Sequence, residues 1–593
     1  MTSFSGFLTR HKKSVTTFAV VAIASSALAA TTISAQATAG KKGGTLIYVT
    51  NADQLNHLDP QRVYTGEDIA FLNSYLFRSL LSYKPVAGSA GFQLVPDLAT
   101  NTGTPSNGGK TWSFTLKSGI KWEDGSTLTC ADEKYGISRA FAQDVITDGP
   151  SYAIQDLDIP TDSSGNSLYL GPYKKTGQAY FDKAVTCNGN TITINLNKPV
   201  GDFNYFGTYP AMSPVKASVD QNPSTGGNNY DKHPWALGPY KIAQYTIGNE
   251  LQLVRNPQWN SKTDTIRPAF PDQVIMRFSV AEDTRDQIFL NDSTKNAINY
   301  DQGLNPTNNV AFFNDSSKAT RGLNATSPYV RYYAYNVAKG HLDCLDVRKA
   351  IFYAWPTQAI INFAGGTRFY GNIGDSPVSP LLGSDYAPTT GNIHDANFKA
   401  AGNPSYAKQI LAQAKTACPD TYARVTDPKQ GFSIDLSNNS SSQKVSVFLK
   451  NAITAAGMTV TFNFINPGTY YSTVQNPAKQ GDLSRSGWAA DWANASTDIP
   501  DLFLKDGGFD LNQNWNDPAY PTFAAKTVAA QGETNRAAQS KDWNELAQYA
   551  MDQYWITPPI FNKEQYQWGS KVGGTAFWLP QGSLIFTNLY VKA

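Results

Sequence analysis

The stretch GKTWSFTLKSGIKWEDGSTLTCADEKYGISRAF, residues 109–141, carries three local signals in one run. Trp112, Phe114 and Leu116 alternate with Ser113, Thr115 and Lys117, the period-two pattern of a strand with one buried face. EDGS, residues 123–126, supplies the Asp-Gly of a turn. Thr129 then offers a hydroxyl N-cap, and Asp132 and Glu133 put acid into the first turn of a helix, where unpaired N–H groups and the helix dipole favour it. A strand, a turn and a helix in immediate succession predict α/β lobes rather than a pure sandwich or bundle.

Working outward, the same mixture continues. GTLIYVT (44–50) reads as a strand and NADQLNHLDP (51–60) as the loop after it. EDIAFLNSYLFRSLLSY (67–83) has helical spacing, with Ile69, Leu72, Leu76 and Leu80 on one side. NTITINLNKP (190–199) alternates as a strand. GPYKIAQYTIGNELQLVRNPQW (238–259) predicts a hairpin turning at Gly248-Asn249. LDVRKAIFYAW (345–355) and YAKQILAQAK (406–415) predict amphipathic helices. NPSTGGNNYDKHP (222–234) and GDSPVSPLLGSDYAPTTGN (374–392) are linker-like, and no internal repeat is present.

The chain has 593 residues, enough for two or three domains. It is 41% hydrophobic and 16% charged with a net charge of +2, so no strong field directs it to nucleic acid or an anionic membrane. Aromatics make up 12%, a level that suits surfaces burying organic ligands as well as large β-rich cores. Arg10, His11, Lys12 and Lys13 form a basic start, residues 14–30 are small and apolar, and Ala35-Gln36-Ala37 offers a cleavage site. Residues 1–39 therefore read as a signal peptide cut after Ala37 or Ala39, with an uncleaved anchor as the competing reading. No cysteine lies near that site, which argues against a lipoprotein. Export implies an oxidising compartment. The four cysteines, Cys130, Cys187, Cys344 and Cys418, allow three pairings. Cys130–Cys187 with Cys344–Cys418 is preferred, because each pair closes a loop within one plausible lobe. Their spacing does not suit a metal.

Catalytic signatures are missing. GTPSNGGKTW (103–112) approaches a phosphate loop, but Gly103 sits out of register with Gly109-Lys110-Thr111 and a strand follows instead of a helix. The five histidines, His11, His57, His233, His341 and His394, make no paired ligand spacing. No G-x-S-x-G elbow occurs. Glu123 and Asp124 are adjacent in a turn rather than placed across a cleft. The chain is read as a non-enzyme with no cofactor and no bound metal.

Five segments in order resemble the family 5 extracellular solute-binding proteins, the oligopeptide and dipeptide receptors of ABC importers. KKGGTLIYVTNADQLNHLDP (41–60) is similar to the family's opening strand and Leu-Asp-Pro turn. LVPDLATN (94–101) with residues 109–141 is similar to its most distinctive block, which joins an aromatic strand, a W-x-D-G turn and a T-x-x-D/E helix. Residues 238–259 resemble its G-P-Y…L-x-R-N-P hairpin, residues 345–355 its R-x-A-I-x-Y-A helix, and SGWAADW (486–492) its G-W-x-A-D segment. The resemblance spans nearly the whole mature chain.

It implies a two-lobe periplasmic-binding-protein-like fold, type II, cluster C, with an extra inserted domain and a hinged cleft. Residues 43–83, 211–300 and 560–593 would form lobe I, 84–210 the inserted domain and 301–559 lobe II. The implied function is extracytoplasmic capture of a peptide or similar small solute and its delivery to a membrane permease and ATPase. The receptor would be a monomer without a nucleic-acid partner. A signalling-peptide sensor on the same scaffold is the alternative, and a secreted hydrolase a remote one. By the resemblance, Asp491 pairs with the ligand's α-ammonium and Trp488 adds cation–π attraction of roughly 0.5–2 kcal/mol. The competing reading makes Trp488 and Trp492 core and Asp491 a turn cap. Tyr64 and Thr65 in QRVYTGED (61–68) match a cleft-lining loop, and Phe561 in TPPIFNKEQY (557–566) an aromatic near the crossover. WANAST (492–497) departs from the aromatic and D/N-P that follow the acid in many members. Members also bind nickel complexes, sugars, opines and haem, so the departure bears on ligand class.

Overall fold

The computed structural model describes residues 40–220, 229–301, 303–505, 507–533 and 535–593. The expected signal peptide and most of the first linker-like stretch lie outside the described residues.

Three sheets organise the chain. The first has five strands in the order Ala297–Asn299, Thr45–Val49, Gln273–Arg277, Glu250–Arg255, Tyr240–Thr246. Thr45–Val49 runs parallel to both neighbours. Its Leu46, Ile47, Tyr48 and Val49 are all buried, as expected for a central strand covered on both faces. The hairpin turns where the sequence places it, with Gly248 at φ +78°.

The second sheet is four-stranded and antiparallel: Thr104–Ser106, Thr111–Thr115, Thr191–Asn195, Val185–Asn188. Trp112 and Phe114 alternate inward opposite Ile194 and Ile192. These side chains join Leu46, Tyr48 and Phe71 in one apolar cluster, so this sheet shares its core with the first. The near phosphate loop is a hairpin bend, with Gly108 and Gly109 at positive φ.

The third sheet has six strands in the order Gly371–Ile373, Ile560–Gln567, Gly322–Tyr335, Leu483–Trp488, Phe432–Ser437, Val460–Ile465. The last two are parallel, and helix Ser440–Ala455 connects them. Asn439 caps that helix by accepting from the Ser442 N–H. Around this sheet a second apolar cluster gathers Tyr332, Trp355, Leu449, Trp543 and Trp555.

Two expectations shift. The helix expected over residues 67–83 is Gly66–Tyr75, and Leu81–Tyr83 is a strand. The Leu76 carbonyl accepts from the Leu237 and Gly238 amides, so tertiary bonds end the helix before its apolar period does. The strand Ile560–Gln567 begins where lobe I was expected to resume, yet it pairs within the six-stranded sheet. Its far end crosses over: Tyr566 and Trp568 pack in the first cluster, and Trp568 bridges Ile298 of the five-stranded sheet. The antiparallel segments 322–326 and 563–567 thus lead from one sheet to the other.

The structure joins Cys130 to Cys187 and Cys344 to Cys418. The first ties the start of helix Cys130–Arg139 to strand Val185–Asn188. The second ties the start of helix Leu345–Ala354 to the end of helix Pro404–Ala417.

Candidate functional site

The run that opens the sequence reading positions the site. Thr129 caps helix Cys130–Arg139 in a capping box with Asp132. At the helix end Arg139, fully buried, donates to both oxygens of Asp59 at 2.6 Å and to Asp220 at 2.6 Å. Asp59 belongs to the Leu-Asp-Pro turn, and its carbonyl accepts from the Arg62 and Val63 amides. That turn delivers Tyr64. Gly149 lies so close to this turn that a Cβ there would stand 2.2 Å from the Gln61 carbonyl oxygen, and its φ is +101°. Three residues on, helix Tyr152–Asp156 brings in Tyr152.

From the other cluster, strand Leu483–Trp488 ends at a loop carrying Asp491. The Asp491 N–H donates to Thr497 Oγ1 at 2.9 Å, and Trp488 Nε1 donates to the Thr497 carbonyl at 2.7 Å. WANAST is therefore a folded brace beneath the acid. The two indoles divide: Trp488 packs in the second cluster and Trp492 in the first. The Trp488 ring stands edge-on to Tyr64 at 5.6 Å and lies against Phe509 at 4.8 Å. Both tryptophans are core, but Asp491 caps no turn. Its Oδ2 accepts from Tyr64 and from Tyr152, each at 2.6 Å, and its carbonyl accepts from Tyr83 at 2.9 Å. Tyr152 also reaches Asp501 Oδ2 at 2.8 Å.

A cavity of about 490 Å³ lies between the two clusters, within the range of ligand sites. Asp491, Trp488, Tyr64 and Thr65 all line it. Phe561 does not: its ring meets Tyr386 at 5.7 Å and covers Gly374. The sequence reading missed Tyr152 and Asp501, and it missed Arg485 although that residue opens RSGWAADW. Arg485 lines the cavity and makes no ion pair with any acid among the described residues, whereas Arg331 on the same wall is paired with Glu564 at 3.0 Å.

Burial dominates the electrostatics. Asp491 is 7% exposed, and burial raises its pKa to about 6 against the opposing effect of the phenol bonds. Asp501 is raised to about 7, first by burial and then by the charge of Asp491. Asp498 is raised by burial and by both acids. An ionised Asp491 in this setting gains most from an organic cation entering the cavity. Among the described residues no cluster of His, Cys, Asp or Glu is arranged to hold a metal ion. No described helix is long and apolar enough to cross a membrane.

Residues 93–510 match the model of the bacterial extracellular solute-binding proteins, family 5. The chain belongs to this family. Its similarity to individual members is distant. It is 21% identical over 82% of its length to the oligopeptide-binding protein OppA of Bacillus subtilis, of which 83% is covered. It is 23% identical over 85% of its length to the periplasmic murein peptide-binding protein MppA of Escherichia coli, of which 86% is covered. Among solved structures, a clavulanic acid biosynthesis oligopeptide binding protein superposes with a TM-score of 0.74 at 24% identity, over 93% of this chain and 96% of the other. The murein tripeptide binding protein MppA of Escherichia coli also gives 0.74, at 18% identity over 93% and 99%. The fold of this family 5 protein is the two-lobe periplasmic-binding-protein fold, with the cavity lined by residues of both apolar clusters.

Proposed function

We propose that this protein is an extracytoplasmic receptor that captures short peptides with a free N-terminus in the interlobe cavity and delivers them to an ABC permease. The observation that carries the reading is the pair of charges on one wall. Asp491 is a buried carboxylate without an ion-pair partner among the described residues, and Arg485 is a cation in the same position. They match the ammonium and carboxylate of a zwitterionic chain. Six residues of backbone separate them, at most about 20 Å, which favours a peptide of a few residues. The similarity to the oligopeptide-binding OppA and the murein peptide-binding MppA supports peptide as the ligand class.

Mass spectrometry of small molecules released by denaturing the exported protein tests the proposal. Short peptides with free amino termini are the expected finding. Release of a sugar or a metal complex alone would overturn it. Lys339, His341 and the other charged groups near Asp482 lie away from this wall and take no part in the reading.

A further inference from the structure

Asp501 lies in helix Ile499–Phe503 and meets the same Tyr152 hydroxyl as Asp491. It is 1% exposed, its Oδ1 accepts among the described residues from the Gly508 N–H at 3.1 Å, and its Oδ2 faces the Tyr152 hydroxyl. That hydroxyl touches two carboxyl oxygens, 2.6 Å from Asp491 and 2.8 Å from Asp501, and has one hydrogen. With both acids ionised, one of these contacts would set an anionic oxygen against a phenol lone pair in a dry interior. With one proton added to the pair, both contacts become hydrogen bonds. Tyr64 decides where the proton sits. It also donates to Asp491 Oδ2, so Asp491 is the acceptor of two phenols and the better carboxylate. Asp501 then donates its proton to the Tyr152 oxygen, and Tyr152 donates to Asp491.

The surroundings agree from every side. Tyr83 and Tyr209 face Asp491 from the first lobe and bring no charge. Asp156, at the end of the Tyr152 helix, is paired with Lys198, and Asp385 with Arg536, so these cations are engaged elsewhere. Asp202 is held by Trp492 Nε1, and Asp498 adds a further acid beside the pair. Among the described residues no cation forms an ion pair with Asp491, Asp498 or Asp501.

We propose that Asp501 holds a proton delivered towards Asp491 through Tyr152, leaving one negative charge on the cavity floor, so that the site takes a ligand presenting a single ammonium there. The proposal deepens the peptide-capture reading and rests on it for the identity of the cation. Asp501 and Tyr152 are positioning residues, since neither lines the cavity. Acidification adds a second proton, to Asp491, and this proton competes with the ligand. Burial places that competition above the ordinary carboxylate range, against the opposing phenol bonds.

The ligand-free protein gives the first test. Its infrared spectrum at neutral pH, minus that of Asp501→Asn, should contain the carbonyl stretch of one protonated carboxyl; a difference holding only carboxylate bands would overturn the proposal. Binding gives the second, with an equimolar mixture of tripeptides and its N-acetylated counterpart as probe. Asp501→Asn should retain free-amine peptides to within about threefold, because the Asn amide can donate to Tyr152 as the carboxyl does. If it loses as much as Asp491→Asn, Asp501 carries charge and the proposal fails. Should Asp501→Asn not fold, the unmodified protein decides. Its affinity for the free-amine mixture should fall no more than about tenfold per pH unit on acidification from neutrality, the slope of one competing proton. A steeper fall, towards about a hundredfold, would mean that both acids had been ionised. If no tripeptide is retained at all, the peptide reading fails while the infrared difference still decides the proton.

Discussion

Asp491 is costly where it stands, and that cost is the reason to expect function from it. A carboxylate buried without a counter-ion destabilises the ligand-free fold, so removing its charge should separate stability from binding. Asp491→Asn should weaken binding of a free-amine peptide by about 10- to 150-fold, the effect of losing one hydrogen bond to a charged group at about 1.5–3 kcal/mol. N-acetylated peptide should bind weakly to both forms. The same substitution should raise stability at pH 8. The folded pKa of Asp491 is raised, so its favourable protonated state is fully present below the unfolded value near 4 and is lost as pH rises through about 6. Asn should therefore gain on the order of 1–3 kcal/mol over Asp at alkaline pH and almost nothing near the unfolded pKa. Paired calorimetric titrations and urea melts at the two pH values check both halves; a variant destabilised at pH 8 would refute the electrostatic account. At this scale the sequence was partly legible. Asp491, Trp488, Tyr64 and Thr65 reach the cavity because their motifs are local. Tyr152 and Asp501 could not be found, since Tyr152 lies 339 residues from its partner acid in a segment with no motif. Phe561 was misplaced because a strand position does not say which neighbour its ring will meet.

Elements were more legible, because short-range chemistry fixes them. The Thr129 cap, the Gly248 turn and the alternating strand at Thr111–Thr115 all appear where the residues place them. Thr129→Ala should cost about 1 kcal/mol in chemical denaturation, more than surface threonines elsewhere. The cost should also reach the site, because the same helix carries Arg139 and through it the Leu-Asp-Pro turn that holds Tyr64. The helix that ends at Tyr75 shows the limit of local reading, since apolar spacing ran on for two further turns and was overruled by amides from residues 237 and 238. The disulfides act at this scale too. Their partners are 57 and 74 residues apart, so on the chain-entropy model each stabilises by about 4 kcal/mol. Cys344→Ser with Cys418→Ser should lower the unfolding free energy from urea melts by an amount near that value, whereas an unchanged free energy would mean that the bridge does not form in the exported protein.

At the scale of the whole molecule, the lobes meet through side chains whose charge state depends on the meeting. Tyr64 and Tyr152 of one side bond Asp491 of the other, Trp492 Nε1 bonds Asp202 at 2.6 Å, and Asn466 reaches Asp53 at 3.3 Å. Separation about the paired segments 322–326 and 563–567 would break these bonds and return Asp491 to water. Its pKa would then fall back towards the ordinary carboxylate value. The closed form therefore holds this proton more tightly than the open one. Linkage fixes the sign: acidification favours closure of the ligand-free protein, and the advantage is lost as pH rises through about 6. The roughly two-unit rise of Asp491 alone corresponds to about a hundredfold change in the closing equilibrium. An ammonium ligand reverses the dependence, because it compensates the ionised acid that otherwise opposes closure. Small-angle scattering should accordingly show a ligand-free radius of gyration that grows between pH 5 and pH 8, and a peptide-bound one that stays small at pH 8. Asp491→Asn should abolish most of the ligand-free growth. Profiles that superimpose across pH, with and without bound peptide, would mean that the lobes do not open and that the buried acids take no part in closure.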